Sequence, residues 1–332
     1  MLYISTRDKT ASYTAYRTLH EDTAPDGGMY LPFKWPEFTE DQLRALPNRA
    51  FGENVACVLN AFFGLLLTGR DIDLCIGRNP LQSRKIGHRL AVYEMWHNPQ
   101  GAYCQLERDL YRRIYAGADR TTPTRWACIA IRIALLFGIL GQQMAENGSG
   151  ANLVVTDEDE PGLCAAWYAK RLGLPVEQII YCGREESGMW EFLSHGCLST
   201  RLSNDAGLEW LIYSALGADV LTGYVAALKN NSTYVLEEEQ LERFKQDIFP
   251  AVVGKKRVWD LIRNVYKMNG YILGADTAIA YGGQQDHRAC TGETGNTIML
   301  SLCSPMLDAH AVSNALDVEI SELPQLLENF KE

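Results

Sequence analysis

His97 and Cys104 lie seven positions apart in the stretch Glu94-Met95-Trp96-His97-Asn98-Pro99-Gln100-Gly101-Ala102-Tyr103-Cys104-Gln105. An imidazole that reaches a thiol can take its proton and leave a thiolate nucleophile. The commoner role for such residues is a packed histidine and an inert buried thiol. A second cluster is the acid run Asp157-Glu158-Asp159-Glu160 after Thr156. Four adjacent carboxylates suit a divalent cation, an interaction surface, or a solvated cap on a helix N-terminus, where the dipole favours negative charge. The solvated cap is the expectation. A third group is Asp286-His287 with Glu293, whose spacing is not diagnostic of acid/base work; a solvated histidine on a surface loop is expected there. No zinc spacing, Walker loop, dinucleotide fingerprint or Gly-x-Ser-x-Gly elbow occurs.

These residues need a scaffold, and its pattern is readable. Residues 1–36 start extended at Leu2 to Thr6, with a short helix around Tyr13 to Leu19, a turn at Pro25-Asp26-Gly27-Gly28 and a strand from Met29 to Pro32; glycine takes positive φ there without strain. Residues 39–68 read as helical, opened by Thr39 as a cap. Leu90 to Trp96 reads as a strand, Gln105 to Tyr115 as a helix, and Thr124 to Met144 as one long apolar helix stopped by Asn147-Gly148. Ala151 to Thr156, a helix over Leu163 to Leu172, and Gln178 to Cys182 form a βαβ unit, hence a parallel sheet. Further helices are expected at Gly207 to Leu216, Glu237 to Phe244 and Arg257 to Asn269, a loop over 282–296, a strand from Thr297 to Cys303, and a final helix from His310 to Leu316.

Composition narrows the function. The chain has 332 residues, 47% of them hydrophobic, enough for a core without disulfide staples. Its 41 acids against 31 bases give a net charge of −10, the wrong balance for a phosphate backbone, so nucleic acid is not an expected partner. The apolar run Ile129 to Leu140 is interrupted by Arg132 and falls short of the roughly 20 residues that cross a bilayer, so no membrane is expected either. The N-terminus has no signal-peptide pattern. Nine dispersed cysteines without a C-x-x-C suit a cytoplasmic chain with reduced thiols.

Tyr3-Ile4-Ser5-Thr6-Arg7 followed by Ala24-Pro25-Asp26-Gly27-Gly28-Met29-Tyr30-Leu31-Pro32 resembles, almost residue for residue, the opening of threonine synthases. That family comprises fold-type II pyridoxal-phosphate (PLP) enzymes that convert O-phosphohomoserine and water to threonine and phosphate. The resemblance continues more weakly along the chain. It implies an α/β protein: an N-terminal α+β domain over 1–88, then a PLP-enzyme-like domain with a mainly parallel sheet over 89–330.

At the functional motifs this chain departs from the family it resembles. The family's cofactor lysine lies in a phrase like Glu-Leu-Phe-His-Gly-Pro-Thr-Leu-Ala-Phe-Lys-Asp, and the matching stretch is Glu94 to Gln105, with Cys104 at the lysine position. A thiol adds reversibly to an aldehyde but forms no imine, and the nearest lysines are Lys85 and Lys170. The family's glycine-rich phosphate loop corresponds to Thr156, Asp157, Glu158, Asp159 and Glu160, whose carboxylates repel a phosphate by on the order of 1–4 kcal/mol per close pair. Only Ala116 to Pro123 separates the two core helices where the family carries a small substrate domain, so that domain reads as missing. The motif remnants Gly274-Ala275-Asp276-Thr277-Ala278 and Leu302-Cys303-Ser304-Pro305 keep the skeleton and lose polar members.

The resulting expectation is a degenerate threonine synthase-like protein with no catalytic residues, a pseudoenzyme that acts through a protein partner, self-association or a ligand. No cofactor and no metal are expected. A remnant cleft would gather His97, Asn98, Cys104, Gln105, Asp276, Thr277 and Ser304. The alternatives are an active PLP-dependent threonine synthase, a lyase of threonine biosynthesis, and a different small-molecule site in that cleft.

Overall fold

A computed structural model describes residues 1–115, 117, 120–199, 202 and 207–328, the side chain of residue 160 excepted. At the N-terminus β1 (Leu2–Ser5) runs antiparallel between β2 (Tyr13–Thr14) and, past the short helix α1 (Ala15–Thr18), β3 (Tyr30–Pro32), with Ile4 opposite Leu31. The two opening phrases touch each other. Asp26 Oδ1 accepts the Ser5 hydroxyl at 2.8 Å and the Gly28 N–H at 2.9 Å, and Gly27 takes φ 78° in the turn between strands. The expected helical span 39–68 divides into α2 (Glu40–Arg44), capped by Thr39, and α3 (Phe51–Phe63), which stops at left-handed Gly64. Helix α4 (Gly69–Ile76) follows and was not anticipated.

The chain then enters the central sheet. Its elements are β4 (Gln82–Gly87), β5 (Leu90–Glu94), α5 (Cys104–Ile114), α6 (Arg125–Asn147), β6 (Ala151–Thr156), α7 (Glu160–Arg171), β7 (Val176–Gly183), α8 (Gly188–His195), β8 (Cys197–Leu198), α9 (Leu208–Leu216), α10 (Ala218–Lys229), β9 (Tyr234–Val235), α11 (Glu238–Lys245), β10 (Ile248–Val252), α12 (Lys255–Asn269), α13 (Ala275–Thr291), β11 (Thr297–Ser301), α14 (Ala309–Leu316) and α15 (Leu323–Glu328). Six strands form one sheet in the order β10-β7-β6-β11-β5-β4, parallel throughout except for β4 against β5. The architecture is therefore α/β with a largely parallel sheet, as the βαβ pattern requires. Strand β4 lies within the first 88 residues yet pairs with β5, so the stretch assigned to the N-terminal unit ends inside the second sheet.

Helix α6 organises the core. The Thr124 hydroxyl caps it by accepting the Ala127 N–H, and Gly148 closes it at φ 71°. Over its 23 residues it is long and apolar enough to span a membrane, longer than its sequence run suggested, but 83% of its apolar window is buried inside the protein. It carries Trp126 into a cluster with Tyr3 and Phe62, and the Tyr3 hydroxyl links the Trp126 indole N–H (3.1 Å) to the Phe62 carbonyl (2.8 Å). Residues 115–124, the whole connection from α5 to α6, are too few for a domain.

Three expectations fail here. Residues 282–291 are helical, the second half of α13. Gly282 and Gly283 are there for close approach and make no turn: a Cβ on Gly283 would overlap Cys182 Sγ, and one on Gly282 would press on Leu261 and Val253. His287 is consequently buried, edge-on to Phe249, and not solvated. Nor is the helix ending at Leu316 the last, since α15 follows.

Candidate functional site

A cavity of about 410 Å³ opens beyond the carboxyl ends of β6 and β11, where α/β sheets commonly hold ligands. Ala102 to Cys104, Glu107, Arg132, Glu158, Asp159, Pro161, Arg184, Ala275, Asp276, Ile279, Leu302, Cys303, Leu307 and Asp308 line it. Of the expected cleft residues, the structure brings Cys104 and Asp276 to its wall. His97, Asn98, Gln105, Thr277 and Ser304 are not among the lining residues and have structural duties. The His97 ring stacks on Trp96 and its Nε2 meets Glu94 Oε2 at 2.7 Å. Asn98 Nδ2 donates to the Ala102 carbonyl, Gln105 Nε2 donates to Asp109, Thr277 Oγ1 donates to Ser301 Oγ, and Ser304 caps a short 3-10 turn at Met306. A His97–Cys104 catalytic pair is thus not assembled.

Cys104 opens helix α5 and is exposed; its Sγ accepts from Arg108 Nη2 at 3.3 Å. Cys303 shares the cavity wall and is exposed as well, and burial of its sulfur raises its thiol pKa. Neither has a histidine partner among the described hydrogen bonds.

The acid run does not behave as one solvated cap. Helix α7 begins at Glu160, three residues earlier than expected, because Asp159 turns inward at its N-terminus. The Asp159 carboxylate is 4% exposed and pairs at 2.8 Å with Arg132, itself 2% exposed. Asp157, 14% exposed, and Glu158, 54% exposed, bind the guanidinium of Arg184. The side chain of Glu160 lies outside the described residues. Burial pushes the Asp159 carboxyl up, while Arg132 and the Gly162 N–H pull it back. The Arg132 guanidinium lies 3.8 Å above the Tyr103 ring, and its Nε and Nη1 are buried without hydrogen-bond partners among the described residues. The lone arginine inside the apolar run was the available signal for this pair: a cation there must find a carboxylate or a comparable acceptor.

Asp276 sits at the start of α13, whose terminus Asp308 also caps through the Ala275 N–H at 3.0 Å. Burial pushes the Asp276 carboxyl up to about 7, with Asp159 and Asp157 adding to the rise and Thr156 opposing it. Glu107 is likewise raised by burial, against the pull of Arg132. Five carboxyl groups and two guanidiniums therefore face one cavity.

PLP does not fit these residues. No lysine is among the described lining residues, so none of them places an amine to hold an aldehyde, and a carboxylate occupies the helix terminus that the resemblance matches to the family's phosphate loop. Among the described residues no group of three or more His, Cys, Asp or Glu is arranged for a metal ion. A second hollow, about 590 Å³, opens at the amino ends of the strands. Two of its cations are engaged: Lys85 with Glu146 at 3.1 Å, and Arg89 with the Thr294 carbonyl at 3.3 Å.

Comparison with known proteins agrees with the opening motifs. Residues 2–79 match the family described as "Threonine synthase N terminus". The threonine synthase of Schizosaccharomyces pombe is 20% identical over 257 residues, which is 64% of this chain and 49% of that protein. That of Saccharomyces cerevisiae is 25% identical over 222 residues, 58% of this chain and 43% of that protein. The chain thus spans about half the length of the curated relatives it matches. In fold it is similar to the crystal structure of PLP-bound threonine synthase from Brucella melitensis (TM-score 0.82, 19% identity, covering 99% of this chain and 94% of that one) and to yeast threonine synthase (TM-score 0.78, 16% identity, covering 98% and 93%).

Proposed function

We propose that this chain, a member of the threonine synthase family by its N-terminal motifs and its fold, is a non-catalytic homologue that works without PLP and acts by binding. The single observation that carries the reading is Cys104 on the wall of a cavity that no lysine lines. A carbonyl cofactor needs a primary amine to be held as an imine, and a thiol does not replace it. The blocked phosphate position at α7 and the ten-residue α5–α6 connection point the same way.

The test is direct. Purified protein supplied with PLP and O-phosphohomoserine is expected to form no threonine and release no phosphate. Threonine formation at a rate that scales with enzyme and PLP would replace this reading with that of an active threonine synthase, the activity carried by the names of its relatives. A second reading, a site for another small molecule, is favoured by the cavity itself: about 410 Å³ is the size of a metabolite pocket. A thermal shift with a metabolite from a panel, lost on filling the cavity by Cys303→Phe, is its expected signature.

A further inference from the structure

We infer that the hollow of about 590 Å³ at the amino ends of the strands is a binding site for a small polar zwitterion, a free amino acid by chemical class. It lies at the other end of the sheet from the motif remnants Cys104 and Asp276, and neither lines it. The β4–β5 hairpin brings Lys85 and Arg89 to its wall, the end of α6 brings Gln143 and Glu146, and the starts of β7 and β11 bring Glu177 and Asn296.

The floor is made of amides. Gln143 is 3% exposed and Asn296 is 8% exposed. Asn296 Nδ2 donates to Ser149 Oγ at 2.9 Å, but no other described residue hydrogen-bonds the Gln143 side chain. A buried amide left unmatched is destabilising, and a ligand group that both donates and accepts satisfies it. The rim carries both signs of charge. Lys85 meets Glu146 at 3.1 Å, with side chains 64% and 42% exposed, and such an exposed pair opens with little loss. The Glu177 and Glu293 carboxylates converge on Gly295, where a Cβ would lie 3.0 Å from one and 3.2 Å from the other. No described cation pairs with the Glu177 carboxylate.

The ligand class follows by exclusion. A simple anion meets Glu146 and Glu177, and a simple cation meets Lys85 and Arg89. A sugar finds no aromatic ring among the described lining residues to stack on. A molecule with a carboxylate, an ammonium beside it and a polar tail matches the whole set: carboxylate to Lys85 and Arg89, ammonium to Glu146 and Glu177, tail to Gln143. The inference goes beyond the reading above, concerns a separate cavity, and stands whether or not PLP binds.

The test is thermal melting of the full chain with L-serine, L-threonine, L-asparagine and L-glutamine, each at about 10 mM, against succinate, putrescine and myo-inositol. At least one of the amino acids should raise the Tm of wild type by about 2–4 °C. Lys85→Met and Gln143→Leu should lose that shift, and Cys303→Phe, which fills the other cavity, should keep it. No shift with any of these amino acids would overturn the inference. So would a shift of equal size in wild type and Lys85→Met, a shift abolished by Cys303→Phe, or a larger shift with succinate, putrescine or inositol. Should Gln143→Leu fail to fold, Lys85→Met, changed at an exposed rim position, decides alone.

Discussion

Cys104 and Arg108 face each other across one turn at the start of α5: Arg108 Nη2 lies 3.3 Å from Cys104 Sγ, and Arg108 Nε donates to the Cys104 carbonyl at 3.1 Å. The residue that the resemblance matches to the family's lysine is a solvent-reachable thiol beside a cation. Labelling should follow exposure. Iodoacetamide under native conditions is expected to modify Cys104 and Cys290 first, Cys303, whose thiol pKa burial raises, more slowly, and to leave Cys164 and Cys182 for the denatured chain. Mass mapping of a time course reads the order. Early labelling of Cys164 or Cys182 would mean that the packing around β7 and α7 is wrong.

Asp276 makes stability depend on pH. Its carboxyl is raised to about 7 by burial, against about 3.9 in an unfolded chain. The folded state holds that proton more tightly, so the stabilisation is full below about pH 4 and is lost as pH rises through about 7. Asp276→Asn, which stays neutral, should gain several-fold more stability at about pH 8 than at about pH 4.5, where only the unfolded carboxyl ionises. Urea melts at the two pH values check this; an equal effect at both would show that Asp276 ionises freely.

Gly283 is a packing residue. Gly283→Ala should cost about 1–3 kcal/mol through overlap with Cys182 Sγ. Adding Cys182→Ala should restore part of the loss, because the new methyl then occupies the space of the removed sulfur. Independent, additive costs in a double-mutant cycle would contradict the close approach of α13 to β7.

The N-terminal sheet is tied to the core through Tyr3. Tyr3→Phe leaves the Phe62 carbonyl and the Trp126 indole N–H buried without their partner, and should cost about 1–3 kcal/mol in a denaturant melt. No loss would show that this link contributes little to holding β1 on α3 and α6.

How far the sequence could be read depends on whether the deciding contact is local. Strand β6 was legible to the residue and α6 to within three, because a hydroxyl cap at Thr124 and a left-handed glycine at 148 act within one turn. Helix α13 is not legible where Gly282 and Gly283 look like a turn, since what selects them is distant in sequence: Leu261 and Val253 for Gly282, and Cys182, about a hundred positions earlier, for Gly283. Strand β10 carries Pro250, a residue that argues against a central strand; it lies at the sheet edge, where a missing N–H is tolerated. At the site, Cys104 and Asp276 were reachable from motif alone. The pairing of Asp159 with Arg132 crosses 27 positions between two helices, so the acid run gave only its charge and not its burial.

A non-catalytic homologue of this kind holds no PLP on a lysine. The most direct measurement is incubation of the purified protein with PLP, an absorbance scan at about 410–430 nm where protein-bound imines absorb, borohydride reduction and mass mapping. No stoichiometric adduct is expected, only scattered traces on surface lysines. One stable reduced adduct on a single lysine, with a matching absorbance band, would contradict it.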